Sequence, residues 1–190
     1  MHTEVFAVTY QFPPWFKGVM YIFFVISAVT LLSLLLLAFD VVPTLDVEPL
    51  TELQPIRMLG VIVFFAVVFG LSEKLLAKLI SVTGVLLSAA AAVFSFVTVE
   101  DYIQITTLLG LMLVGMALFY LNRKTSLGHA SLQLQLLAFL SVIYLMFYQH
   151  DESMNVFMQA VVGVPYVLFY WVLMSAFKQA PQQSANEPRE

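Results

Sequence analysis

Cysteine is absent from the 190 residues. That removes disulfides, thiolate metal sites, iron–sulfur clusters and cysteine nucleophiles from consideration. Charge is scarce: charged residues make up 11% of the chain, against roughly 25% in a soluble domain. The three histidines, His2, His129 and His150, fall outside the long apolar stretches, which disfavours a haem held between two intramembrane histidines. The chain has no His-Glu-x-x-His, no Gly-rich phosphate loop, no EF-hand spacing and no N-x-Ser/Thr acceptor, and so lacks the sequence signatures of the corresponding chemistry. Ser88 and Ser95 have no base at their depth. Ser126, His129 and Ser131 are close only along the chain, which is weak ground for a hydrolytic triad. No catalytic, cofactor-binding or metal-binding residue is therefore expected, and no nucleic-acid partner.

What fills the sequence instead is hydrocarbon. Hydrophobic residues make up 61%, where a soluble domain has roughly 45–50%. Six apolar stretches dominate: Phe16 to Phe39, Ile56 to Leu71, Leu79 to Thr98, Ile103 to Leu121, Leu132 to Tyr148 and Val156 to Phe177. A membrane-spanning helix needs ~20 apolar residues to cross ~30 Å at 1.5 Å per residue. The expected fold is all-α, a polytopic membrane protein built as a bundle of six transmembrane helices. The first stretch outruns a signal-peptide core and has no small-x-small cleavage site after Phe39, so it reads as a retained helix. No stretch carries a charge in its interior; Arg57 stands at the border of the second. Proton relays and voltage sensors, which use buried acids or arginines, are thus not expected.

The connections alternate in sign. Lys17, Lys74, Lys78, Arg123, Lys124, Lys178 and Arg189 fall in one set, with the N-terminus and the tail. Asp40, Asp46, Glu48, Glu52, Glu100, Asp101, Asp151 and Glu152 fall in the other, with Arg57 as its single base. Short loops rich in Lys and Arg stay in the cytoplasm, so both termini are expected to be cytoplasmic and the acidic loops external. The plasma membrane, as a bacterial inner membrane, is the expected location. Residues 1–15 read as a cytoplasmic interfacial segment ending at Pro13-Pro14 and Trp15, residues 16–177 as the membrane domain, and residues 178–190 as a disordered cytoplasmic tail. Thr51-Glu-Leu-Gln54 has capping-box spacing, which would start the second helix near Thr51 with Pro55 in its first turn. Asn122–Ser131 reads as a loop.

The most specific pattern is a seam of small residues in the third stretch: Ser81, Gly84, Ser88, Ala91, Ser95 and Thr98. Steps of three and four make this one helix stripe. Lipid is as apolar as leucine, so membrane helices gain by close dispersion contact at small residues and by hydroxyl bonds across the gap. The fourth stretch, with Thr107, Gly110 and Ala117, is the expected partner, in a left-handed pair. A polar outer mouth is the second pattern: Glu100, Asp101, Gln104, His150, Asp151, Glu152 and Gln159. Such oxygen-rich residues raise the local cation concentration or hold a hard cation; the plainer reading is a set of solvated acids. Gly163-Val-Pro165 should kink the sixth stretch. Tyr166 and Tyr170, one turn apart beside it, fit packing or the aromatic belt better than a pocket.

Bare spans and tiny loops favour a non-catalytic subunit or scaffold of a membrane complex, partnered by the bilayer and by another membrane protein or a second copy. The acidic rim and the glutamines beneath it favour the alternative, a small permease or channel for a neutral or cationic solute. An intramembrane lipid enzyme is a more distant third.

Overall fold

The computed structural model describes residues 12–41, 48–72, 75–94, 96–97, 99–122, 126–148 and 152–179. It contains six α-helices: α1 (Pro14–Ala38), α2 (Glu48–Leu71), α3 (Leu75–Phe94), α4 (Asp101–Asn122), α5 (Ser126–Ile143) and α6 (Glu152–Gln179). A π-helical turn at Tyr144–Tyr148 extends α5. Five helices are long and apolar enough to cross a bilayer. The chain is a multi-pass helical membrane protein. In α2 the apolar part, Pro55–Leu71, is shorter.

Helix ends follow local chemistry. Pro14 opens α1 at a position where its missing N–H costs no hydrogen bond. At the other end Asp40 takes a left-handed φ of 54°, a conformation an aspartate tolerates better than most residues. The Val41 amide then donates to the Leu36 carbonyl (2.9 Å) and the Asp40 amide to Leu37 (3.0 Å), which closes the helix in a Schellman motif.

Differences from the sequence reading stand out in three helices. The first is α2, which begins at Glu48, so Pro55 lies inside the helix rather than in its first turn. The second is α3, which begins at Leu75, ahead of the apolar stretch that opens at Leu79, and stops at Phe94. The third is α5, which starts at Ser126 and so absorbs half of the stretch read as the Asn122–Ser131 loop. The physical reason is that Leu127, Ala130 and Leu134 are buried at helical spacing. The hydroxyl that made the segment look loop-like is satisfied locally, because Ser131 Oγ donates to the Leu127 carbonyl at 2.8 Å.

The helices close a ring in chain order, each packing on its sequence neighbours and α6 returning to α1. Pairs of contacting positions give the directions. Gly163 faces Leu31 of α1 while Tyr170 stacks on Phe23, so α1 and α6 are antiparallel. Tyr170 also faces Gly60, and Gly163 faces Arg57, so α2 and α6 run the same way on either side of α1. Large side chains from α2 and α6 fill the middle: Phe64, Phe65, Tyr166, Phe169 and Tyr170 are all buried. Phe64 and Phe169 meet edge to face with ring centroids 5.1 Å apart, a geometry worth about 0.5–1.5 kcal/mol beyond the area it covers.

Candidate functional site

The charge-free interior expected from the sequence is corrected by one residue. Arg57 is 5% exposed, packed inside the bundle by the helix it was thought only to border. Pro55 sits inside α2, so the helix is already formed at Arg57 and helical register, not loop freedom, sets where the side chain points. Tyr166 of α6 lies under the guanidinium, with Cζ 4.9 Å from the ring centroid. A cation over an aromatic face gains ~0.5–2 kcal/mol when desolvated. Tyr170 Oη donates to the Arg57 carbonyl at 2.5 Å, and Tyr166 Oη points to Met58 Sδ at 3.5 Å. Gly163 lets α6 approach closely here: an added methyl group would lie 3.3 Å from Leu31, tighter than ordinary contact, and 3.9 Å from Nη1.

Two donor atoms of this cation, Nε and Nη1, are buried and have no hydrogen-bond partner. On α1 the hydroxyl of Ser27 is in the same condition, and Ser27 is wholly buried. Ser27 stands one turn from both Phe23 and Leu31, on the stripe that meets Tyr170 and Gly163. Unpaired polar atoms of this kind each carry a desolvation cost of about 1–3 kcal/mol, more for a charge. Arg57 and Ser27 thus carry unpaired buried polar atoms on the stretches of α2 and α1 that meet α6.

The sequence held a faint signal for this site. An arginine at the edge of an apolar run, facing two tyrosines at i and i+4 and a glycine near i−3, suits a cation held by aromatic faces. What the sequence lacked was the pairing of α2 with α6. Tyr170 is fully buried rather than at a lipid interface, while its neighbour Trp171 is exposed.

The outer-mouth residues separate. Gln159 joins a polar cluster with two partners outside the predicted set. Its Nε2 donates to Asn155 Oδ1 at 2.8 Å and to Tyr144 Oη at 3.3 Å, and Tyr144 Oη donates to Asn155 Oδ1 at 2.9 Å. The π-turn starts at Tyr144, and π-turns often mark places where a side chain is re-aimed. Gln104 instead turns back to the Val99 carbonyl at 3.2 Å. Glu100 and Asp101 are exposed where α4 begins. His150 and Asp151, and the side chain of Glu152, lie outside the described residues. Among the described residues no cluster of three or more His, Cys, Asp or Glu could hold a metal.

The seam residues Ser81, Gly84 and Ser88 are buried on α3. Ala91 is partly buried against the core, and Ser95 and Thr98 lie outside the described residues. α3 packs on α4, as expected, but the seam position Gly84 is taken up by α2. Gly84 faces the Phe65 ring of α2, and a methyl group at Gly84 would clash with it. Against α4 the contact is instead Gly110 on Leu87. Nor do the hydroxyls bridge helices: Ser81 Oγ donates to the Ala77 carbonyl at 2.8 Å and Ser88 Oγ to the Gly84 carbonyl, both within α3.

Compared with protein-family models, with curated proteins and with solved structures, the chain matches none.

Proposed function

We propose that this chain is a non-catalytic subunit or scaffold of a membrane complex, working through its outer, lipid-facing surface on another membrane protein or a second copy. The observation that supports this is the filled centre of the ring. Phe64, Phe65, Phe169 and Tyr170 are buried between the helices, and the hydroxyls of Ser81 and Ser88 spend their hydrogen bonds on their own helix. The seam of Ser81, Gly84, Ser88, Ala91, Ser95 and Thr98 then serves packing alone. We place the chain in a bacterial plasma membrane with six spans and both termini in the cytoplasm, on the charge bias of its connections. Extraction in a mild detergent followed by affinity purification tests the reading: a stoichiometric partner, or a discrete homo-oligomer, is expected. A lone monomer that carries solute flux in proteoliposomes would overturn it.

A small permease is the second reading, favoured by the Tyr144–Asn155–Gln159 cluster. In that case the acids Glu100, Asp101, Asp151 and Glu152, with Gln104 and His150, form its outer mouth, and Gln159→Leu abolishes flux without loss of folded protein.

A further inference from the structure

We propose that Arg57 binds the phosphate of an anionic phospholipid, taken up between α1, α2 and α6. The chemistry begins with the unpaired donors. A guanidinium cannot shed its proton in a protein and presents planar N–H groups that suit an oxyanion. Two of these atoms, Nε and Nη1, are buried without an acceptor, and the Ser27 hydroxyl on the facing helix also lacks a partner. Tyr166 covers one face of the cation but supplies no oxygen acceptor to it, since its hydroxyl is turned to Met58. The site therefore holds a positive charge and hydrogen-bond donors in excess of acceptors, and a phosphate oxygen supplies both deficits.

Three further observations select a lipid as the carrier of that phosphate. Arg57 is the third residue of the apolar segment Pro55–Leu71, about 3 Å along the helix from its border, which is the level at which hydrocarbon meets headgroups. Its flanking residues Ile56 and Leu59 are 38% and 48% exposed, so the same turn of α2 already faces lipid. Of the six neighbouring helix pairs in the ring, α1 and α2 touch each other least. A headgroup can part that junction with its acyl chains still in the bilayer. This site does not depend on the scaffold reading.

The test uses the full chain in dodecylmaltoside micelles, titrated with phosphatidylglycerol, phosphatidylcholine or sodium phosphate. Bound lipid is read by native mass spectrometry and stability by the thermal unfolding midpoint. Wild type should hold phosphatidylglycerol at least tenfold more tightly than phosphatidylcholine, at one lipid per chain, and gain no comparable midpoint shift from millimolar phosphate. Arg57→Gln should erase the preference, and Arg57→Lys should retain part of it. Equal binding of the two lipids by wild type overturns the proposal without any variant, so a misfolded Arg57→Gln does not protect it. A preference that survives in folded Arg57→Gln overturns it too. A midpoint shift with phosphate but not with lipid overturns the lipid as the source.

Discussion

Tyr170 acts at one spot in two ways: its ring stacks on Phe23 with centroids 5.8 Å apart, and its hydroxyl holds the Arg57 carbonyl. The bond is buried and adds to the one that a carbonyl inside α2 accepts from its own helix, so removing the donor loses a hydrogen bond that no water replaces. Tyr170→Phe is expected to cost about 1–2 kcal/mol of stability, read as a lowered thermal midpoint in detergent. Tyr166→Phe removes only a long contact to a thioether sulfur, a weak acceptor, and should cost less than half as much. The serines of α3 sit at the opposite extreme. Ser81 and Ser88 donate to carbonyls four residues back in their own helix, bonds that add little to helix stability. Ser88→Ala should change the midpoint by no more than an equivalent of ~0.5 kcal/mol. A large loss would mean that the hydroxyl acts across the helix interface after all. Neither tyrosine could be ranked from the sequence, because Tyr166, Tyr170 and Trp171 all look alike at the end of an apolar run. Only the orientation of α6 separates the two buried phenols from the exposed indole.

At the scale of the element, the small-residue stripe of α3 was legible as a close-approach surface and α4 as a neighbour, but the ring of α2 that fills the stripe at Gly84 was not. Gly84 meets Phe65, a bulky ring fitted into the groove that a missing side chain provides. Gly84→Leu should drive that ring out of place, with an overpacking cost of about 1–3 kcal/mol. Phe65→Ala in the same chain should recover part of it, and a double-mutant cycle of unfolding free energies measures the coupling. If Gly84→Leu is as stable as wild type, the α2–α3 packing described here is wrong. The α4 residues Thr107, Gly110 and Ala117 made α4 an attractive partner by composition, yet small residues on two helices do not have to meet. A small residue can equally receive a large one. The start of α5 teaches a related lesson: Ser126–Ser131 looked like a loop because its polar atoms were counted without their local acceptors.

For the molecule as a whole, the ring makes a prediction that the absence of cysteine renders simple to check. An added Cβ at Gly163 lies 3.8 Å from that of Leu31, within the ~3.5–4.5 Å that a disulfide needs. Leu31→Cys with Gly163→Cys should cross-link on mild oxidation and give a compact species on gel electrophoresis. The pair Ser88→Cys with Gly163→Cys should not, because α3 and α6 are not neighbours in the ring. Cross-linking of the second pair but not the first would replace the ring with a different helix order.

The sequence by itself determined the solvent, the helical class and the approximate place of each helix. These follow from the length and composition of single segments, and a backbone in hydrocarbon must satisfy its own hydrogen bonds whatever its neighbours do. The tertiary structure alone decided which residues point inward. Arg57 became an interior cation, Tyr170 a buried donor and Gly84 a socket for Phe65 only because α2 lies between α1 and α3 and meets α6 on the inner side of α1. A residue's radial position is a property of the helices around it, and that information is spread over segments as far apart as Arg57 and Tyr170.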